Sequence, residues 1–292
     1  MPTRTHAFPV GFRQGYSDWQ KSAASLAAWA KQNHFEALDL RDATPADVAA
    51  VSSAGLKLGT VDLIEMGKLV DSDAPCRRDL IHCNIAHVKS LAALGVRTFF
   101  TVVLGNKTLS RRDNYTLAVE SFTPIAQAAE DAGAKIVVEG WPGRAPTYPG
   151  LCCTPETYRS FIQDVNPRSV GVNYDPSHLI RLGVDPIRFL REFAPHVHHV
   201  HAKDTELIPE AVYEYGLYQP AVFTPPHVYG EHAWRYTIPG QGLTRWPEVF
   251  KILKDFDYPG VVSIELEDEN FHGSEEREKS GLLHSLAFLT GA

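Results

Sequence analysis

Four short sequence motifs carry side chains that could together bind a metal ion. Glu139 lies in VVEGWP, Asp175 in NYDPSH, His201 in VHAKDT and Glu265 in SIELED. Each motif accompanies a short apolar, β-branched run, so we expect these side chains at or near strand ends. Three carboxylates that converge at a site of low dielectric repel one another unless a cation neutralises them. The set therefore predicts a metal site formed by these four residues.

The donor types indicate which ion this site would take. Oxygen and imidazole ligands suit Mn²⁺, Mg²⁺, Co²⁺ or Zn²⁺, and we rank Mn²⁺ first. No thiolate belongs to the set, which argues against a structural zinc site. Taken singly, a strand-end carboxylate is usually a helix cap or a solvated loop residue. A histidine in an apolar strand, such as His196, His198 or His199, is usually a hydrogen-bonded core residue. Four candidates on successive strand ends favour the metal site.

The elements that must position these residues follow from an alternation along the chain. Short β-branched runs recur, and each is followed by a segment with helical spacing. Eight such units predict an α/β fold, a single (β/α)8 TIM barrel domain over residues 1–292. A doubly wound sheet would be favoured by a GxGxxG turn after the first strand, and none occurs there. The predicted strands are 6–12, 35–40, 56–63, 97–104, 135–139, 170–174, 197–202 and 261–266.

One segment departs from this regular spacing. Residues 205–245, between the seventh strand and the next helix, are rich in aromatic residues and proline. Loops of this length in compact domains are usually functional or disordered, and this one is too aromatic for a disordered linker. We expect a lid-like insertion over the C-terminal mouth of the barrel, where the active sites of this fold lie.

Net charge, apolar runs and cysteine spacing indicate which kinds of partner and which cellular location to expect. The formal net charge of −7 disfavours nucleic acid, which usually requires a basic excess. The N-terminus lacks the apolar core of a signal peptide, and no run approaches the ~18 apolar residues of a membrane span. None of the 4 cysteines forms a CxxC pair, so we interpret them as reduced thiols. These features predict a cytoplasmic protein that has no nucleic-acid or membrane partner.

In that order, VVEGWP, NYDPSH, VHAKDT and SIELED resemble the xylose isomerase-like superfamily of sugar isomerases and epimerases. Its members include ketose 3-epimerases, inosose dehydratase, hydroxypyruvate isomerase, endonuclease IV-type enzymes and C-glycoside deglycosidase catalytic subunits. The resemblance implies that Glu139, Asp175, His201 and Glu265 bind one divalent metal ion. It also implies that Glu139 and Glu265 are the catalytic acid/base pair. It further implies a homodimer or homotetramer that acts on a small keto sugar.

The same resemblance extends to residues that would bind the substrate. His178 would contact a substrate oxygen, and Lys203 would add positive charge near a developing oxyanion, with Asp204 orienting it. A structural ion pair is the alternative for Lys203 and Asp204. Asp39 and Arg41, at the second predicted strand, are further candidates. Four aromatic side chains could form the apolar wall on which a sugar stacks: Phe12, Trp141, Trp234 and Tyr236.

The predicted reaction begins with removal of a proton from carbon next to a carbonyl group. A divalent cation that chelates two adjacent substrate oxygens would stabilise the enediolate, and a carboxylate would take the proton. Reprotonation then gives an epimer or an isomer, whereas expulsion of a β-substituent gives a lyase or dehydratase. We predict a sugar isomerase/epimerase first, and a lyase/dehydratase on an oxidised (3-keto) sugar or glycoside second.

Two other function classes are weaker. An endonuclease IV-like phosphodiesterase would need several more histidines at the second to fourth strand ends, which read Leu40–Arg41, Asp62–Leu63 and Leu104–Gly105. A non-catalytic sugar-binding subunit would be indicated by loss of a ligand, and all four are present.

Overall fold

A closed barrel of eight parallel strands forms the centre of the computed structural model, which describes residues 8–145 and 147–291. The strands, in chain order, are β1 (Val10–Arg13), β2 (Ala37–Leu40), β3 (Lys57–Asp62), β4 (Thr98–Val102), β5 (Lys135–Glu139), β6 (Val170–Tyr174), β7 (Val197–Ala202), β8 (Asp204–Leu207), β9 (Trp234–Thr237) and β10 (Val262–Ile264). Eight of these strands form the barrel, in the order β1-β10-β7-β6-β5-β4-β3-β2. The other two, β8 and β9, pair with each other outside it. The predicted (β/α)8 barrel is confirmed.

Helices connect the barrel strands. They are α1 (Ala23–Gln32), α2 (Pro45–Ser53), α3 (Ala74–Ala92), α4 (Arg111–Asp131), α5 (Pro155–Val165), α6 (Pro176–Arg181), α7 (Pro186–Phe193), α8 (Pro209–Tyr215), α9 (Trp246–Asp255) and α10 (Glu275–Gly291). Several begin at a proline that follows a capping side chain. Thr44, before Pro45, accepts a hydrogen bond from the amide of Asp47, and Thr154 does the same for Thr157. Such caps satisfy amides that have no partner within the helix.

Three elements differ from the prediction. Part of the first predicted strand, 6–12, lies outside the described residues, and β1 continues to Arg13. The alternation predicts one helical segment after the sixth strand, but two helices, α6 and α7, follow it. Helix α6 begins directly after Asp175, whose side chain caps it by accepting from the Ser177 amide. The predicted loop 205–245 contains the antiparallel hairpin of β8 and β9, whose register pairs Thr205 with Tyr236.

Strand pairing sets which side chains meet in the barrel lumen. Along β7 the side chains alternate, so His199 and His201 point into the lumen and Val200 points toward the helices. Glu139 lies beside Asn173 in the register of β5 and β6, and His201 lies beside Ser263 in that of β7 and β10. The sheet therefore directs polar residues of β5, β6, β7 and β10 toward one end of the lumen.

The outer face of the barrel carries the apolar core. Phe12 is fully buried there, with ring centroids 4.8 Å from Phe35 and 5.7 Å from Trp29. The suggestion that Phe12 forms a sugar-stacking wall is therefore wrong, because its position in β1 turns the ring toward α1 and away from the lumen. Within residues 8–145 and 147–291, no helix combines the length and apolarity needed to cross a membrane.

Candidate metal centre

The predicted metal ligands come together at the C-terminal mouth of the barrel. Glu139 is the last residue of β5, and Asp175 and Glu265 directly follow β6 and β10. One ligand atom from each, with one from His178 on α6, forms a group whose members all lie within 4.8 Å of one another. His201 Nδ1 lies 2.6 Å from Glu139 Oε1 and 3.5 Å from Glu265 Oε2. The three predicted carboxylates thus lie together with His178, and His201 contacts two of them.

Unsatisfied polar atoms show that this cluster suits a metal ion. Asp175 Oδ2 and His178 Nε2 are buried and have no hydrogen-bond partner among the described residues. Buried polar atoms are normally paired, so exceptions need an explanation such as an ion. Carboxylate oxygens and imidazole nitrogens are donors that a divalent first-row metal prefers. The donor set and the unsatisfied atoms both fit the predicted ion.

The charges of the cluster depend strongly on one another. Burial and the neighbouring Glu265 act to raise the pKa of Glu139, but His201 and His178 outweigh them and lower it. Burial likewise opposes ionisation of Glu265, yet Lys203 and His201 hold its pKa well below the usual range. For Asp175, burial outweighs the attraction of Lys203, and its pKa is raised. The site therefore maintains two ionised glutamates beside positive charge.

Lys203 provides much of that positive charge. Its side chain is 1% exposed, and Nζ lies 2.5 Å from Glu265 Oε2, 2.8 Å from Glu267 Oε2 and 3.3 Å from Asp175 Oδ2. Nζ also lies 4.4 Å from the centre of the Tyr236 ring. Glu267 was not predicted, although its position two residues after Glu265 places it on the same side of an extended chain.

Arg13 is a second site residue that the sequence analysis missed. It forms two 2.7 Å hydrogen bonds with the carboxylate of Asp62, and its Nε lies 3.3 Å from Glu265 Oε1. The guanidinium lies 4.2 Å from the centre of the Phe100 ring. A signal was available, because Arg13 directly follows the first predicted strand and Asp62 is the last residue but one of the third. Reading the polar residues at all eight strand ends would have found this pair.

A further carboxylate lies deeper in the lumen. Asp39 of β2 is fully buried and accepts hydrogen bonds from the Thr60 amide at 3.0 Å and from His199 Nε2 at 2.8 Å. Its Oδ2 is also 3.5 Å from His201 Nε2. His199 thus has the core hydrogen bond that was predicted for it, whereas His198 packs against Gly171 on the neighbouring strand.

Of the predicted substrate contacts, His178 and Trp141 lie at the mouth. His178 Nδ1 is 2.7 Å from the hydroxyl of Tyr236, which comes from the β8–β9 hairpin. Trp141 lines a cavity of about 460 Å³ together with Glu139, His178, Lys203 and Glu265. The cavity has room for a small sugar, and its polar residues converge on the ligand cluster.

Lys203 also lines this cavity, whereas Trp234 and Asp204 have different surroundings. Trp234 is 3% exposed, and its ring packs 4.6 Å from the guanidinium carbon of Arg181. Asp204 does not pair with Lys203 but accepts hydrogen bonds from the amides of Thr205 and Thr244 and from the Trp246 indole. Because adjacent residues of an extended chain point in opposite directions, Asp204 faces the base of the insertion while Lys203 faces the mouth.

A sequence model of the xylose isomerase-like TIM barrel family matches residues 21–291. The chain belongs to this family. Among its relatives, the uncharacterized protein YfiH of Bacillus subtilis is 35% identical over 155 residues, 52% of this chain and 46% of YfiH. Inosose dehydratase 1 of Bacillus cereus is 26% identical over 165 residues, 56% of this chain and 51% of that protein. The chain spans about half the length of these curated relatives.

Solved structures of other proteins match over more of the chain. The 3-keto-D-glucoside 4-epimerase YcjR from E. coli has a TM-score of 0.71 at 16% identity, over 98% of this chain and 100% of that one. The IOLI protein with a bound zinc atom has a TM-score of 0.66 at 18% identity, and the match covers 97% of this chain and 95% of that one. At these identities the likeness shows the shared fold alone.

Proposed function

We propose that this protein is a divalent-metal-dependent sugar isomerase/epimerase that removes a proton from carbon next to a carbonyl group. The observation that supports this most directly is the group of Glu139, Asp175, His178 and Glu265 at the mouth of the barrel, which His201 contacts through the two glutamates. A small keto sugar is the proposed substrate, and the 460 Å³ cavity beside the cluster would receive it. A homodimer or homotetramer in the cytoplasm remains a prediction.

The proposed ion is Mn²⁺, with Mg²⁺, Co²⁺ and Zn²⁺ as alternatives. Glu139, Asp175, His201 and Glu265 would hold it, and the related fold of IOLI carries zinc. When bound, the ion would act as a Lewis acid that polarises substrate oxygen next to the reacting carbon.

The proton transfers are assigned to Glu139 and Glu265. Both carboxylates have lowered pKa values, so both are ionised at neutral pH and either can accept a proton from carbon. Asn173 and His201 hold Glu139 Oε1 at 2.8 and 2.6 Å, which leaves Oε2 for the reaction. Glu265 is held by Lys203 and Arg13. The two carboxylates are thus held by different hydrogen-bond partners, and the one that takes the proton from carbon would become the acid that can return it.

His178 is assigned to substrate oxygen. Its Nδ1 is engaged by the Tyr236 hydroxyl, so the ring presents Nε2 to the cluster, 3.3 Å from Glu139 Oε2 and 3.4 Å from Asp175 Oδ2. A ring held in this way can hydrogen-bond a substrate hydroxyl or carbonyl without first losing rotational freedom. Tyr236 therefore acts through His178, and we propose that the insertion covers the bound substrate.

A lyase or dehydratase acting on an oxidised (3-keto) sugar or glycoside is the second candidate. Several relatives that match about half of this chain are inosose dehydratases, at 24–27% identity. The ammonium of Lys203 would favour departure of an oxygen anion from the carbon beside the enediolate. After reaction in D₂O, mass spectrometry separates the two candidates, because an isomerase retains every substrate oxygen and a lyase does not.

Metal analysis combined with deuterium exchange tests the proposal. We expect about one divalent ion in the wild-type chain, and loss of that ion in His201→Ala. Exchange of the carbon-bound proton of keto sugars into D₂O should fall by about 10²–10⁴-fold in Glu139→Gln, because the base is removed. The matched controls are Glu120→Gln and His284→Ala, which change exposed side chains. Full metal occupancy and unchanged exchange in both site variants would eliminate this site.

A further inference from the structure

A carboxylate in the layer below the metal cluster contacts the predicted histidine ligand from behind. His201 presents Nδ1 to Glu139 and Glu265, while its other nitrogen, Nε2, lies 3.5 Å from Asp39 Oδ2. Nε2 is buried and has no hydrogen-bond partner among the described residues. Asp39 is therefore the acceptor that faces this nitrogen.

The surroundings of Asp39 hold its carboxylate in one orientation. The Thr60 amide donates to Oδ1 at 3.0 Å, which leaves Oδ2 directed at the two histidines of β7. Residue 59 must lack a side chain for this arrangement, because a Cβ on Gly59 would lie 1.8 Å from Asp39 Oδ1 and 3.1 Å from His199 Cε1. Backbone, glycine and histidine thus all fix the same carboxylate.

A histidine binds a metal through an unprotonated nitrogen, and an acceptor at the other nitrogen selects that tautomer. We propose that Asp39 is a positioning residue that accepts the Nε2 proton of His201 and so keeps Nδ1 free to bind the metal ion. The inference rests on the proposed function, since it concerns a ligand of that same ion. Asp39 itself touches neither the substrate nor the ion.

A second ion held by Asp39, His199 and His201 is the competing explanation, since their ligand atoms lie within 4.8 Å of one another. The hydrogen bonds favour the positioning role. Both carboxylate oxygens of Asp39 already accept an N–H, and His199 Nε2 is already the donor of one of these bonds. An ion there would have to displace that hydrogen bond in a fully buried space.

The test is Asp39→Asn, with Co²⁺ as the probe. The Thr60 amide would keep the Asn oxygen in the Oδ1 position, so the NH₂ group would face His199 and His201. An amide there requires Nε2 of His201 to accept, which places the proton on Nδ1 and blocks metal binding. We expect the Kd for Co²⁺, measured by competition with a chelator, to rise about 10–100-fold. The visible absorption of bound Co²⁺ should change with it.

The matched control is Glu278→Gln, another buried carboxyl group with protein hydrogen bonds. It accepts from Ser17, Trp19 and Gln20 and contacts none of the proposed ligands. Its loss should change stability and leave the Kd for Co²⁺ unaltered. Because Asp39→Asn could also impair folding, the imidazole ¹⁵N spectrum of the wild-type protein provides a measurement without substitution. In the Zn²⁺-loaded protein we expect His201 to be protonated at Nε2 and not at Nδ1.

The other possible outcomes would overturn the inference, and they can be distinguished from one another. A wild-type Kd and absorption spectrum in Asp39→Asn, or a proton on Nδ1 of His201 in the Zn²⁺-loaded wild type, would refute the positioning role alone. Two Co²⁺ ions per wild-type chain that fall to one in Asp39→Asn would make Asp39 a ligand. No Co²⁺ binding by the wild type would remove the metal site and, with it, the proposed function.

Discussion

At the scale of single residues, the site depends on buried charges that neutralise one another. Lys203 and Arg13 are both buried, and both contact Glu265. A buried charge is stable only where opposite charges and hydrogen bonds replace the water that it loses. The cationic groups at the mouth are therefore part of the electrostatics of the site rather than surface charges. Lys203 contacts two carboxylates that are proposed to bind the ion.

Lys203→Met should make the metal-free protein less stable and its stability more dependent on metal. Removal of one partner from a buried ion pair costs about 3–5 kcal/mol, because the remaining charge is left without a partner. A divalent ion would restore that neutralisation, so the rise in melting temperature on adding Mn²⁺ should exceed that of the wild type. The exposed pair of Lys251 and Asp255 supplies the control, Lys251→Met. Equal metal-induced shifts in wild type and Lys203→Met would show that Lys203 and the ion do not share ligands.

At the scale of elements, one carboxylate connects the insertion to the barrel. Asp204 Oδ1 accepts from the amides of Thr205 and Thr244, and Oδ2 accepts from the Gly240 amide and the Trp246 indole. These donors lie at the two ends of the insertion. The hairpin that carries Tyr236 to His178 is therefore anchored at its base by Asp204.

Asp204→Asn should loosen this base while leaving the barrel strands intact. Because an amide has one acceptor oxygen in place of two, about half of the donors lose their partner, at a cost of about 1–3 kcal/mol. Hydrogen exchange should become faster at the amides of Gly240 and Thr244 and stay unchanged in β4 and β5. Asp255→Asn, an exposed carboxylate change, is the control. Unaltered exchange at both amides would contradict the anchoring role.

At the scale of the whole molecule, stability should depend on pH through His198, which is partly buried on the outer face. Burial, with smaller effects of Lys135 and His196, lowers the pKa of His198 to about 4. The folded protein therefore favours the neutral ring. In the unfolded chain this histidine has a pKa of about 6.5, so below that pH the unfolded chain binds more protons than the folded protein does. The contribution of His198 to the free energy of unfolding is fully present above pH ~6.5 and is lost as the pH falls toward 4.

His198→Gln should flatten the pH dependence of the free energy of unfolding between pH ~6.5 and 4. The stability that titrates in the wild type is about 3 kcal/mol at most, since each unit of pKa difference corresponds to about 1.4 kcal/mol. Urea unfolding at a series of pH values measures it. His284→Gln, at an exposed position, should retain the wild-type slope. A slope in His198→Gln equal to that of the wild type would rule out the assignment.

The amino-acid sequence by itself determined the barrel and the convergence of Glu139, Asp175, His201 and Glu265. Both follow from local patterns: β-branched runs of strand length alternate with helical segments, and parallel strands end at a common edge. The cap of α2 is a local feature of the same kind, since only three residues separate Thr44 from the amide donor of Asp47. These features needed no knowledge of which strand lies beside which.

Only the tertiary structure decided the partners of those residues. The contact between Asp39 and His201 joins β2 to β7, and Lys203 meets Glu267 across 64 residues of chain. Asp204 turned toward the insertion rather than toward Lys203, because chain direction at β8 separates the two neighbours. Hydrogen bonds and ion pairs between distant strands depend on the register of those strands in the closed barrel, and no local pattern in one sequence encodes that register.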